Sequence, residues 1–283
     1  QQVTRRFYHD VNDKEGIRSN SIYSLLVDDR GAVWVGHFQA GLDYSLYQNG
    51  LFRTYAYPPL FNSANLSIRS FVNRGQEKVI GSRDGLFYIN EATGVVKSFV
   101  KPVLTSDLIL TISFYQGEYY IGTYGGGMMV LNPGTLSLKY FAQGDTELFQ
   151  KGHIFCVKPD AKGNLWIGTS QGLFCYNGQT KQIKHFTSAN SQLPEGNVYE
   201  VSFDSTGKGW IATETGMCIY DPASQSLRSN VFPEGFVHRD KVRTIYEDAG
   251  HNLYFIREKG SLFTSTLTMD RFQNRSIFST LPD

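Results

Sequence analysis

Apolar residues along the chain fall in short runs broken by polar, glycine-bearing turns, and one unit of this pattern recurs. Its clearest copy is Asn164-Leu-Trp-Ile-Gly-Thr-Ser-Gln-Gly-Leu-Phe-Cys-Tyr176: an apolar run, a turn containing Gly, then a second apolar run. Relatives begin at Ala32, Lys78, Tyr119, Gly209 and, more degraded, Leu253. Aligned on Trp166, they put Trp34, Val79, Tyr120, Trp166, Trp210 and Tyr254 in one column, at steps of 45, 41, 46, 44 and 44 residues. Short apolar runs between turn signals predict strands. A period of about 40–45 residues holding about four strands is that of β-propeller blades. The expected fold is all-β: a β-propeller of four-stranded blades with six recognisable repeats, in a six- or seven-bladed ring, with residues 1–283 forming a single propeller domain.

Each copy divides into four predicted strands. Strand a is an apolar run such as Ser21–Val27, with counterparts at Ser67–Phe71, Ile109–Phe114, His153–Val157, Asn197–Phe203 and Lys241–Tyr246. Tight turns follow at Asp28–Gly31, Asp160–Gly163, Asp204–Gly207 and Asp248–Gly250. Asp opens such turns by accepting backbone N–H bonds, and Gly closes them by tolerating positive φ. Strand b carries the Trp-Ile-Gly-Thr core, strand c the Gly-Leu-Phe run, and strand d is exemplified by Lys181–Phe186. Seven d-like runs accompany six a–b–c sets, with one at each end, Val3–Tyr8 and Arg271–Phe278. That surplus strand suits a seven-bladed parent ring cut within its last blade.

Composition narrows the function classes. The formal charge is +1 with no run of either sign, which argues against a nucleic-acid footprint or an anionic-membrane patch. No apolar stretch is long enough to span a membrane. The chain starts at Gln1 and its first Met is Met128, so it is expected to be an excised or processed piece. Cys156, Cys175 and Cys218 are odd in number, lack CxxC spacing and lie in predicted strands, so they read as buried thiols acting as small hydrophobes.

Strand a is innermost, and one of its columns reads Ser24, Ser70, Thr111, Cys156, Glu200 and Thr244. All are small except Glu200, for which Arg243 of the next copy is the expected partner. The preceding column, Tyr23, Arg69, Leu110, Phe155, Tyr199 and Arg243, mixes polar and aromatic residues. The a–b and c–d turns fall at one mouth and repeat the same turn chemistry. The b–c turns and d–a connections fall at the other and vary, which is where binding residues are usually presented. The candidate ligand-binding residues there are Asn20, His37, Gln39, Arg69, Arg83, Asp84, Tyr124, His153, Asn197, Glu214 and Arg239.

Catalytic signatures are missing. There is no HExxH, no CxxC pair, no His/Cys cluster with metal-ligand spacing and no Gly-x-Ser-x-Gly elbow. Gly122–Gly127 is glycine-rich but joins two predicted strands and lacks a following Lys-Ser/Thr. No catalytic residue, metal or cofactor is expected. A propeller enzyme of lyase or lactonase type remains an alternative, as does a non-catalytic protein-interaction scaffold.

The pattern Asp-x-x-Gly-x-Leu-Trp-Ile-Gly-Thr-x-x-Gly-Leu-x-x-Tyr over Asp160–Tyr176, with the run Gly16–Leu25, resembles the two-component regulator propeller repeat. The resemblance is strong in copies one, four and five and weakest in copy six, where Ile256-Arg257 replaces Gly-Thr. It implies the periplasmic sensor region of a hybrid two-component system of Bacteroides-type bacteria. Such a fragment would sense a glycan-derived sugar or oligosaccharide and dimerise through the full-length sensor, whose histidine kinase lies elsewhere. The repeat motif is structural and carries no binding residue over to a numbered position.

Overall fold

The structure, a computed structural model, describes residues 7–13, 15–28, 30–45, 51–55, 66–141, 146–229, 241–248, 251–257, 262–266 and 272–273. They form six four-stranded antiparallel sheets, each with its strands side by side in chain order a–b–c–d, as in propeller blades. In blade 4 the strands are Ile154–Pro159, Asn164–Thr169, Gly172–Asn177 and Ile183–Phe186. The other inner strands are Ile22–Val27, Ile68–Arg74, Ile109–Tyr115, Val198–Phe203 and Val242–Glu247. The sixth blade takes Phe272–Gln273 as its outer strand. Of the N-terminal d-like run, Val3–Arg6 lies outside the described residues, and Phe7 and Tyr8 are in no strand.

The chain divides into two compact units, Gln1–Phe114 with Tyr119–Lys139, and Tyr115–Glu118 with Tyr140–Asp283. In the first unit, blades 1 and 2 share a core around Trp34, Leu42, Ile68, Phe71 and Ile80. Blades 2 and 3 share another around Val79, Tyr88, Ile112 and Ile121. In the second unit, Trp166, Val198, Val201 and Ile211 join blades 4 and 5, while Trp210, Met217, Ile245 and Phe255 join blades 5 and 6. Strand b is therefore buried on both faces, which is why it reads as a continuous apolar run without alternation. Phe71, Ile112, Val201 and Ile245 each pack in the cluster shared with the preceding blade. Their equivalent in the first blade, Leu25, is 65% exposed.

The Trp-Ile-Gly-Thr core follows from this packing. A Cβ on Gly168 would sit 2.7 Å from the Val198 carbonyl oxygen of the next blade's inner strand, so close approach requires Gly. Thr169 caps the b–c turn by donating its hydroxyl to the Gly172 carbonyl at 2.8 Å, and Thr123 and Thr213 do the same to Gly127 and Gly216.

The Asp turns hold more than their own backbone. Asp160 Oδ1 accepts the N–H groups of Lys162 and Asn164, and its Oδ2 accepts the Trp166 indole N–H at 2.9 Å. The same six-residue link joins Trp34 to Asp28 at 3.0 Å, Trp210 to Asp204 at 2.7 Å and the Tyr254 hydroxyl to Asp248 at 2.8 Å. Burial pushes the Asp28 carboxyl up, but the Trp34 indole and the Ala32 and Arg30 amides outweigh it and hold the group below its usual value. In the sixth blade the residue with positive φ is His251 (φ 61°), and its N–H closes the turn onto the Asp248 carbonyl; the expected closing glycine, Gly250, lies outside the described residues.

One element was not expected from the sequence, the helix Thr146–Lys151 leading into blade 4. Its Leu148 and Phe149 are fully buried, and the Phe149 ring meets Phe141 and Phe174 edge-on at 5.0 and 5.3 Å. The run is too short to show a helical period, so tertiary burial sets its conformation.

Candidate functional site

The two ends of a blade are built differently. At the end opposite the Asp turns, the first residue of the b–c turn donates its N–H to a carbonyl just before strand a. This lock recurs as Phe38 to Ser21 (2.8 Å), Arg83 to Ser67 (3.1 Å), Tyr124 to Leu108 (3.0 Å), Ser170 to His153 (3.2 Å) and Glu214 to Asn197 (2.9 Å). The b–c turns and the d–a entries thus share one end of each blade.

Beside the lock, the inner strand carries a β-bulge in five blades, between Ile22 and Ser24, Ile68 and Ser70, Ile154 and Cys156, Val198 and Glu200, and Val242 and Thr244. A bulge leaves one residue unpaired and re-aims its side chain. The residues so displaced are Tyr23, Arg69, Phe155, Tyr199 and Arg243, and within each unit those of consecutive blades touch. In the first unit the Arg69 guanidinium lies 4.7 Å from the Tyr23 ring centre, and Tyr23 meets the Phe38 ring edge-on at 5.3 Å. In the second unit Phe155 meets Tyr199 at 5.1 Å, and the Arg243 guanidinium lies 4.7 Å from Tyr199. The Lys241 ammonium is 5.0 Å from the same ring.

Around this second cluster stand three residues expected from the sequence. His153 neighbours Phe155, with ring centres 6.2 Å apart. Asn197 donates its amide to the Tyr199 hydroxyl at 3.1 Å, and its backbone N–H reaches the Glu214 carboxylate at 3.3 Å. Asn197 and Glu214 are half-buried. Rings, an amide and a carboxylate are therefore held together by the frame.

The remaining expected residues divide. Arg69 is half-buried at the Tyr23 bulge contact, and Gln39 is exposed with its N–H on the Ser67 hydroxyl at 3.2 Å. Arg83 and Asp84 are exposed on the b–c turn of blade 2, and Tyr124 is 50% exposed on that of blade 3. Asn20 is exposed, its side-chain oxygen accepting the His9 N–H at 2.8 Å. His37 departs from expectation. It is 0% exposed and bonds the buried Asp43 carboxylate at 2.9 Å, occupying the place that Thr169 fills in blade 4. Asp43 also accepts the Thr54 hydroxyl and the Arg18 N–H, so His37 belongs to a buried polar brace instead of the exposed rim. Arg239 lies outside the described residues.

The expected Glu200–Arg243 pair is not formed. Glu200 meets Lys158, two residues beyond Cys156 on the preceding inner strand, at 3.4 Å, while Arg243 lies over Tyr199. Burial raises the Glu200 carboxyl, with Lys158 pulling it back; the Lys158 ammonium is held up chiefly by Glu200. Both side chains keep contact with solvent, so the attraction is screened. Because folded Glu200 binds its proton more tightly than unfolded Glu200, this group's stabilising contribution is lost as pH rises above the ordinary value of 4.5 toward the folded value. Glu200→Gln is expected to lack that decline, so its stability relative to wild type improves across this window. Unfolding curves at stepped pH check it, and a constant difference contradicts it.

The three cysteines are free. Burial pushes the Cys156 and Cys218 thiols far up, and Cys175 up to about 12, so they are inert packing groups. Among the described residues, no group of three or more His, Cys, Asp or Glu is placed to hold a metal, and no helix is long and apolar enough to cross a membrane.

Among known families, the two component regulator propeller matches residues 16–39 and 149–171. These stretches cover the entry, inner strand and strand b of blade 1, and the corresponding part of blade 4. The fold is similar to the extracellular domain of the putative hybrid two component system BT3049 from B. thetaiotaomicron, with a TM-score of 0.73 and 23% identity over 89% of this chain and 34% of that one. The extracellular domain of the putative hybrid two component system BT4673 from the same organism gives 0.61 and 16%, over 92% and 39%. PorZ, a surface component of the type-IX secretion system of Porphyromonas gingivalis, gives 0.73 and 12%, over 95% and 43%. The chain thus spans well under half the length of each of these structures. No curated protein matches it. Two stretches of the chain thus match the two component regulator propeller, on a β-propeller fold of four-stranded blades.

Proposed function

We propose that the chain is the ligand-sensing propeller module of the extracytoplasmic, periplasmic part of a hybrid two-component sensor, and that it responds to a glycan-derived sugar or oligosaccharide without catalysis. The likeness to two sensor extracellular domains supports the sensing role. One observation carries the choice of ligand: Phe155 and Tyr199 stand edge to face beside Asn197, Glu214 and His153, at the blade end where residues differ from copy to copy. Pyranose rings have apolar C–H faces that pack on aromatic rings, and their hydroxyls exchange hydrogen bonds with amides and carboxylates. A bound sugar acts on the parent protein, a dimer bearing a histidine kinase, only through tighter binding to one of its two arrangements.

The test is a thermal-shift screen of the chain against polysaccharide digests, followed by titration calorimetry of each hit. A hit is expected to raise Tm without being consumed. Tyr199→Ala is expected to weaken its binding by at least about 2 kcal/mol, roughly thirtyfold. Turnover of the saccharide, or unchanged binding by Tyr199→Ala, overturns the reading.

A further inference from the structure

The bulge pair of blades 1 and 2 has a chemistry of its own. Arg69 is half-buried, its guanidinium carbon over the Tyr23 ring at 4.7 Å from the centre. Its Nε is buried and has no hydrogen-bond acceptor. Five other cations of the described residues are paired with carboxylates: Arg18 with Asp43, Arg74 with Glu77, Lys78 with Glu91, Lys158 with Glu200 and Arg228 with Asp221. Arg69 has no carboxylate partner among them, although a half-buried guanidinium is the group that most needs one. Asp84, the nearest acid in the b–c turn of the same blade, is exposed, and its backbone N–H is turned to the Ser82 hydroxyl.

Position makes this more than an isolated surface arginine. Tyr23 and Arg69 are bulge residues of consecutive blades, displaced from the sheet by the same irregularity. The same tyrosine–arginine arrangement recurs between the bulges of blades 5 and 6, Tyr199 and Arg243, again at 4.7 Å. A guanidinium held over a ring can still hydrogen-bond through its outer nitrogens, and their fork matches a carboxylate in a two-point contact. Next to it, the edge-to-face rings of Tyr23, 45% exposed, and Phe38 offer an apolar plate for a sugar ring.

We infer that Tyr23 and Arg69 form a subsite for an acidic pyranose, a sugar residue whose ring carries a carboxylate, with Arg69 taking the carboxylate and the Tyr23–Phe38 plate taking the ring. This rests on the sensing role proposed above and narrows it from glycans in general to uronic-acid-containing ones. No covalent bond is made or broken; the carboxylate supplies an acceptor to the outer guanidinium nitrogens of Arg69, which have no carboxylate partner among the described residues.

Titration calorimetry with oligosaccharides of galacturonic acid and of glucuronic acid tests it, each as the free acid and as the methyl ester. The ester keeps shape and ring while removing the charge. At least one free acid is expected to bind, its ester at least tenfold more weakly, with affinity falling as salt is added. Arg69→Gln is expected to lose at least tenfold for the acid and nothing for the ester, with the unligated Tm unchanged. Arg69→Lys, which keeps the charge without the fork, is expected to fall between. Equal binding of acid and ester, or an acid affinity indifferent to Arg69→Gln, overturns the inference. So does a fall in unligated Tm with acid affinity retained, since Arg69 would then be a pillar for Tyr23. If only neutral oligosaccharides bind, the subsite is wrong while glycan sensing stands; if no saccharide binds, both fall.

Discussion

Trp166→Ala is expected to lower the unfolding free energy by about 3–5 kcal/mol, the range for truncating a large buried aromatic. The indole is 1% exposed and lies between two blades. It stacks nearly parallel on Phe186 with ring centres 6.0 Å apart, meets Phe203 at 5.9 Å and Tyr220 of the next blade at 4.5 Å. Removing it opens a cavity that strand b, pinned on both faces, is unable to collapse. It also takes away the N–H on Asp160. Denaturant unfolding measures the loss, and Tyr124→Ala serves as the control, since that ring is half-exposed at a turn and its removal is expected to leave folding intact. A Trp166→Ala variant as stable as wild type removes the inter-blade core from the account.

Asp160→Ala is expected to cost about 3 kcal/mol, roughly the worth of one or two bonds to a charged acceptor after neighbouring water is counted. The carboxylate accepts four donors: the N–H groups of Lys162 and Asn164, the Asn164 amide at 2.8 Å and the Trp166 indole. Alanine leaves all four without an acceptor at the mouth of a tight turn. In a double-mutant cycle with Trp166→Phe, which keeps an aromatic ring and deletes the indole N–H, the two losses are expected to be less than additive. Additive losses contradict a direct Asp160–Trp166 link.

Much of the scaffold is legible in the sequence because it follows from local periodicity. The column of Trp34, Trp166 and Trp210 sets the blade period, and the inner strands begin within a residue of the apolar runs that announce them. What escapes depends on contacts between positions that no single period relates. The link from Asp160 to Trp166 joins a turn residue to a strand residue six places on, and each looks complete on its own terms, as a turn former and as a core residue. The bulges insert one residue into the inner strand, so Tyr23, Phe155 and Tyr199 read as a lining column when they are set apart from the sheet. A cue was present: polar or aromatic residues beside a column of small ones, where strict alternation breaks. His37 reads as a loop residue because it is polar and follows an apolar run, yet alignment places it where other blades carry the buried Thr123, Thr169 or Thr213. Glu200 needed a cation, and composition alone offered no way to choose Lys158 over Arg243.

On the proposed function, the end of the blades bearing the locks and bulges does the recognising, while the Asp-turn end is scaffold. Amide hydrogen exchange, with and without a saccharide that raises Tm, tests it most directly. Protection is expected to rise in segments 20–24, 37–41 and 66–70, or 153–156, 196–200 and 213–216, and to stay constant in the Asp turns at 28–32, 160–164 and 204–208. Protection gained at the Asp turns, with the bulge segments unchanged, contradicts the account.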